Sequence, residues 1–178
     1  MHAREAALIA TFAGLIAVLG MLPPIPLSFI PVPITAQSLG VMIAGCLLRP
    51  KSAVYSLLIF LFLVAIGFPL LSGGRGGISV FFSPSAGFLL SWPISALCIA
   101  YISKLLGSSI LSCAISTLVG GILVIYPIGI FLLSLITHID IEVALFASLV
   151  FLPGDILKIF IASIICAPVL RAYPSIKL

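Results

Sequence analysis

In a chain this apolar, two side chains three residues apart are out of place. Asp155 and Lys158 are the only acid and the only base inside any of its apolar segments, in the stretch Phe151-Leu152-Pro153-Gly154-Asp155-Ile156-Leu157-Lys158. On a helix that spacing puts both on one face, close enough to pair. A charge in hydrocarbon costs from about 3 to more than 10 kcal/mol, so such residues usually face partners, cavities or substrate. A carboxylate accepts hydrogen bonds and an ammonium donates them, which suits a small ligand offering both N–H and C=O. The bland alternative is a self-satisfied bridge that only sets helix register.

The elements that must hold this pair are membrane helices. The 178 residues are 63% hydrophobic and only 7% charged, with a mean hydropathy of +1.46. A soluble domain carries about a quarter charged residues, enough to cover its surface. This composition therefore predicts an integral membrane protein, all-α, with residues 1–178 as a single domain in the cell membrane. The net charge of +4 does not point to nucleic acid, because the charges are scattered singly or in pairs with no basic run. Cys46, Cys98, Cys113 and Cys166 lie far apart within apolar segments and read as small core residues, while His2 and His138 are isolated. No metal site is expected.

Six apolar spans follow one another, at about 6–22, 34–48, 53–71, 88–105, 110–136 and 143–170. The first follows Arg4 like a secretory signal but lacks a small-x-small cleavage site, so it reads as a retained helix. Ala3 with Ala7, Ala6 with Ala10, and Ala13 with Ala17 stand at small-x-x-x-small spacing, which lets another helix approach closely. That helix belongs either to this chain or to a separate membrane subunit. The fifth span is long enough to tilt or kink near Tyr126-Pro127. The last exceeds the roughly twenty residues that a span needs, and Pro153-Gly154 lies within it. It is either a kinked continuous helix or one that starts afresh with proline in its first turn. Trp92, Tyr101 and Tyr126 read as interfacial anchors, and Asp140 and Glu142 as solvated loop acids.

Six spans put both termini on one side. If that side is cytoplasmic, Arg4, Arg49, Lys51, Lys104, Arg171 and Lys177 lie inside, and only Arg75 lies outside with Asp140 and Glu142. Lysine and arginine asymmetry sets orientation, so the bundle is expected N-in and C-in. Asp155 then lies fifteen residues above Leu170, about 22 Å up the last helix and in the outer half of a roughly 30 Å core. The glycine-rich Gly73-Gly74-Arg75-Gly76-Gly77 converges on the same half, either as a pocket wall or as a loop needing positive φ. Arg75 either attracts an anionic ligand group or is simply solvated. Thr35 and Gln37, at the outer start of the second span, are further candidate hydrogen-bonding groups. No nucleotide-binding G-x-x-x-x-G-K-[ST] loop occurs, so uphill movement would draw on a partner or an ion gradient.

Four segments together resemble one family. Pro31-Val32-Pro33-Ile34-Thr35-Ala36-Gln37-Ser38-Leu39 is similar to the Pro-Val-Pro-Ile-Thr-x-Gln-Thr-Leu signature of BioY proteins, and Gly73–Gly77 resembles their Gly-Gly-x-Gly-Gly loop. Ser83-Pro84-Ser85-Ala86-Gly87-Phe88 lines up with their Pro-Thr-Gly-Gly-Tyr turn, and the segment from Phe151 to Lys158 with their Phe-x-Pro-Gly-Asp-x-x-Lys motif. Ser38, Ala86 and Phe88 depart from the pattern, and the last change removes a hydroxyl. The resemblance spans about residues 4–171.

It implies a six-helix substrate-binding (S) component of an energy-coupling factor (ECF) transporter, one that captures biotin from outside. The partners it implies are a transmembrane coupling subunit and a pair of cytoplasmic ATPases, which alone use ATP; the chain itself would need no cofactor and catalyse no reaction. Ala3, Ala6, Ala7, Ala10 and Ala13 match the surface such proteins offer the coupling subunit. Asp155 and Lys158 would meet the ureido ring, with its two N–H groups and one carbonyl. The thiophane ring and valeryl chain would lie on an apolar wall, and Arg75 or glycine-loop N–H groups would take the carboxylate. Two other classes remain. A proton-coupled secondary transporter would use Asp155 as its titrating site. An intramembrane enzyme would need a nucleophile-base or metal constellation that the sequence does not offer.

Overall fold

The computed structural model describes residues 3–28 and 30–173, so the expectations for His2 and Lys177 lie outside the described residues. Within them every regular element is helical, and the only strand-like pairings are isolated bridges between Ile25 and Ile34 and between Leu71 and Arg75 in the connecting loops. Six helices form the bundle: α1 (Ala3–Gly20), α2 (Gln37–Leu47), α3 (Pro50–Ala65), α4 (Ala86–Leu106), α5 (Ile110–Thr137) and α6 (Ile141–Ala172). Four of them, α1, α4, α5 and α6, are long and apolar enough to cross a membrane, and α2 and α3 are shorter apolar helices. Large apolar side chains such as Phe62, Leu123, Phe131 and Phe160 stand on the outside, where only lipid would accept them in such number. This is a multi-pass membrane protein.

α4 is the hub, packed against α2, α3 and α5, while α6 closes the bundle against α5 and α2. Glycine permits the close approach. A Cβ on Gly120 would run into the Ile99 side chain, and one on Gly45 would lie 2.7 Å from Ile99 Cβ. Buried serines satisfy themselves on their own helices, as Ser116 does on the Ser112 carbonyl at 2.6 Å and Ser163 on Ile159 at 2.6 Å.

α1 shows why one face of it is free. Ile9, Phe12, Ala13, Ile16 and Gly20 recur at helical spacing and are buried against α2 and α3. Ala3, Ala7, Ala10 and Gly14 point outward, and Ala6 sits at the edge between the two faces. Ala13 therefore belongs to the inner face of this chain and not to the open stripe, a correction to the reading from spacing alone.

Three element ends differ from the hydropathy reading for local reasons. α3 stops at Ala65, because Gly67 turns the chain at φ 111° and Pro69 follows; residues 66–71 are apolar without being helical. α5 widens into a π-helical turn over Val119–Val124 just before Pro127, whose ring would otherwise meet the carbonyl of Leu123. In α6 a 3₁₀ turn, Leu149–Phe151, interrupts the helix, which restarts at Leu152 with Pro153 in its first turn. The restart places Asp155 near a helix N-terminus, where partial positive charge favours a carboxylate.

Candidate ligand-binding site

The two irregular turns and the starts of α2 and α4 enclose one cavity. It has about 670 Å³ of empty space, its open mouth included. Its walls are mostly apolar, from Val32, Ile34, Phe88, Leu89, Trp92 and Phe151, with a few polar groups set among them. Phe88 and Phe151 meet edge to face at 5.8 Å between ring centres, which fixes both rings in the wall.

On the α6 side, Asp155 is 8% exposed. Its Oδ1 accepts from Lys158 Nζ at 2.9 Å, and its Oδ2 accepts from the Tyr126 hydroxyl at 2.8 Å. Lys158 Nζ donates also to Ser38 Oγ at 3.0 Å, which ties α6 to α2. The pair is thus bridged, as three-residue spacing allows, but it is not exhausted. A carboxylate offers about four acceptor positions and an ammonium three donors, so about two acceptors and one N–H remain for a ligand.

The loop before α4 supplies Arg75. Leu71 and Arg75 exchange backbone hydrogen bonds at 3.0 and 3.2 Å, and the turn between them needs Gly73 and Gly74 at φ 79° and 70°. Gly76 has no room for a Cβ because the Phe68 carbonyl lies against it, and Gly77 is held at φ 89°. The glycines shape the loop, while Arg75 is its member that lines the cavity with Leu71. No carboxylate pairs with Arg75 among the described residues; its bonds go to the Ser72 carbonyl at 3.4 Å and to Ser85 Oγ at 3.5 Å.

Of the residues singled out from sequence, Thr35, Gln37, Arg75, Asp155 and Lys158 line the cavity together, and Gly73, Gly74, Gly76 and Gly77 do not. Thr35 lines the cavity beside the other four. Gln37 lines the wall, yet its amide is engaged within the protein by Ile16, Leu70 and Ser72. Two aromatic residues are not the interfacial anchors they resemble. Trp92 is 5% exposed and packs 6.0 Å from the Phe60 ring, and Tyr126 is 7% exposed on Asp155. Tyr101 is exposed on the outer face of α4. The adjacency of Gly120-Gly121 to Tyr126-Pro127 was the one sequence signal that α5 is irregular there and can turn a tyrosine inward.

Comparison with known proteins points to one family. The sequence model described as the BioY family matches residues 1–175. A "Probable biotin transporter BioY" of Bacillus subtilis is 48% identical over 92% of this chain and 89% of its own length. A "Biotin transporter BioY" of Rhizobium etli is 45% identical over 98% of this chain and 97% of its own. Among solved structures, "the S-component for biotin from an ECF-type ABC transporter" superposes with a TM-score of 0.90 at 34% identity, covering 94% of this chain and 91% of that one.

Proposed function

The chain belongs to the BioY family, and from that membership and the cavity's geometry we propose that it captures biotin as the substrate-binding subunit of an ECF-type ABC transporter. It is a transport subunit, not an enzyme. One observation carries the reading of the site: a bridged acid-base pair with spare capacity and a guanidinium without a carboxylate partner line the same apolar cavity. Biotin needs both. Its ureido N–H groups donate to the free positions on Asp155, and its ureido carbonyl accepts the remaining N–H of Lys158. The bridge need not open for this. The thiophane ring and valeryl chain lie against Val32, Ile34, Phe88 and Trp92, and the carboxylate meets Arg75, with Thr35 available as a further donor.

In this reading the chain lies N-in and C-in, so the cavity opens outward. The open face of α1, with Ala3, Ala7, Ala10 and the edge residue Ala6, is where a coupling subunit docks. ATP is used by the partner ATPases alone. No observation in the site favours a proton-coupled carrier over this reading.

Reconstitution tests the assignment. Proteoliposomes holding this chain, a coupling subunit and the ATPase pair should accumulate labelled biotin only when ATP is enclosed with the ATPases. Accumulation by the chain alone that collapses with a protonophore would contradict it.

A further inference from the structure

Gln37 is the first residue of α2, is 1% exposed, and has the whole capacity of its amide engaged. Its Nε2 donates to the Ile16 carbonyl of α1 at 3.2 Å and to the Leu70 carbonyl at 3.0 Å. Its Oε1 accepts the backbone N–H of Ser72 at 3.0 Å and the Ser72 hydroxyl at 3.3 Å. The partners fix which end is which, because carbonyls only accept and a backbone N–H only donates. No donor or acceptor is left over for a ligand.

Ser72 is 1% exposed and passes the constraint on. Its carbonyl accepts Arg75 Nε at 3.4 Å, and the guanidinium's other bond, to Ser85 Oγ, is 3.5 Å. Both are long, so they hold the guanidinium weakly. Its place is set instead by the backbone from which it hangs, residues 70–75, and the side-chain clamp on that backbone is Gln37. A Cβ on Gly20 would collide with the Leu70 carbonyl and lie 2.8 Å from Gln37 Nε2, so α1 seals the clamp from behind.

We propose that Gln37 is a positioning residue for recognition of the ligand's carboxylate, acting through Ser72 on Arg75 and not by touching the ligand. The proposal rests on the biotin reading. It explains why an amide that lines a binding cavity is turned wholly into the protein. It also separates two roles within the site: the Asp155–Lys158 end reads the polar ring, and the Gln37–Ser72–Arg75 frame reads the acid.

The test compares biotin with its primary carboxamide, which has the same shape and no charge, by calorimetry on the purified chain in nanodiscs. The native chain should prefer biotin by at least about tenfold, the contribution of one hydrogen bond to a charged group. Gln37→Met keeps the volume and removes all four bonds. It should weaken biotin about tenfold while shifting the carboxamide less than about threefold. In an Arg75→Gln background, where the preference is already lost, adding Gln37→Met should change little. Ser72→Ala, a milder change to the same frame, should lower the preference in the same direction, and it serves if Gln37→Met does not fold. Parallel weakening of both ligands, or an undiminished preference in Gln37→Met and Ser72→Ala, overturns the proposal. A native chain that binds neither ligand instead overturns the biotin reading. One that binds both equally leaves biotin in place but removes the carboxylate role of Arg75 and this proposal with it.

Discussion

Asp155→Asn perturbs the site at its centre while keeping its shape. In the native chain two donors converge on this carboxylate, Lys158 at 2.9 Å and Tyr126 at 2.8 Å. Asparagine keeps one carbonyl oxygen, replaces the other by a donor, and leaves Lys158 with Ser38 as its only uncompromised partner. Removing one member of a buried ion pair costs about 3–5 kcal/mol, and the retained oxygen argues for the lower end. That cost appears in the stability of the empty protein. In binding, a ligand N–H loses a charged acceptor, about 1.5–3 kcal/mol, or roughly a 10- to 150-fold rise in Kd. Lys158→Met should weaken biotin by a similar factor, since in the proposed pose the ureido carbonyl loses its ammonium. The double variant removes both charges, so it should melt above either single variant yet bind no better. Calorimetry with biotin and thermal melts of the same preparations read both quantities. Undiminished biotin affinity in both single variants would refute the reasoning.

Three further outcomes follow from the hydrogen bonding and the packing. Tyr126→Phe removes the hydroxyl that fixes Asp155 Oδ2, and about 1–2 kcal/mol should be lost, a 5- to 30-fold weaker Kd by calorimetry with little change in expression; an unchanged Kd would show that Tyr126 does not position the carboxylate. Gly120→Ala should lower the melting temperature through about 1–3 kcal/mol of overpacking, because its Cβ would meet Ile99 and lie 2.9 Å from the Ser95 carbonyl. Gly121→Ala should cost less, since it meets only the flexible end of Met42, and equal losses in the two would contradict that account.

Much of this site was legible in the sequence because charge in an apolar segment is rare. Asp155 and Lys158 stood out on that ground alone, and their spacing predicts the bridge that the structure shows. Arg75 stood out as the lone lysine or arginine in the connections expected on the outer side. What composition does not register is where a neutral side chain points. Tyr126 and Trp92 carry the same letters whether they sit at a lipid interface or in a cavity wall, and only the π-helical turn in α5 and the packing on Phe60 decide between these. Ser38 was visible as a departure from the family pattern, but its bond to Lys158 joins residues 120 apart in the chain and has no local signal. Gln37 was found and its partners were not, because they lie on α1 and on the loop after α3. The six apolar segments each hold a helix, four of them long enough to cross a membrane, and their ends slipped where backbone geometry overrides hydropathy, most clearly at Gly67 and Pro69.

The central claim, that this cavity is a biotin site, is tested most directly by equilibrium binding of biotin to the purified chain with thiamine and riboflavin as competitors. Saturable, one-to-one binding of biotin that neither competitor displaces is the predicted result. Absence of saturable biotin binding by folded protein, or its displacement by thiamine or riboflavin, would contradict the account.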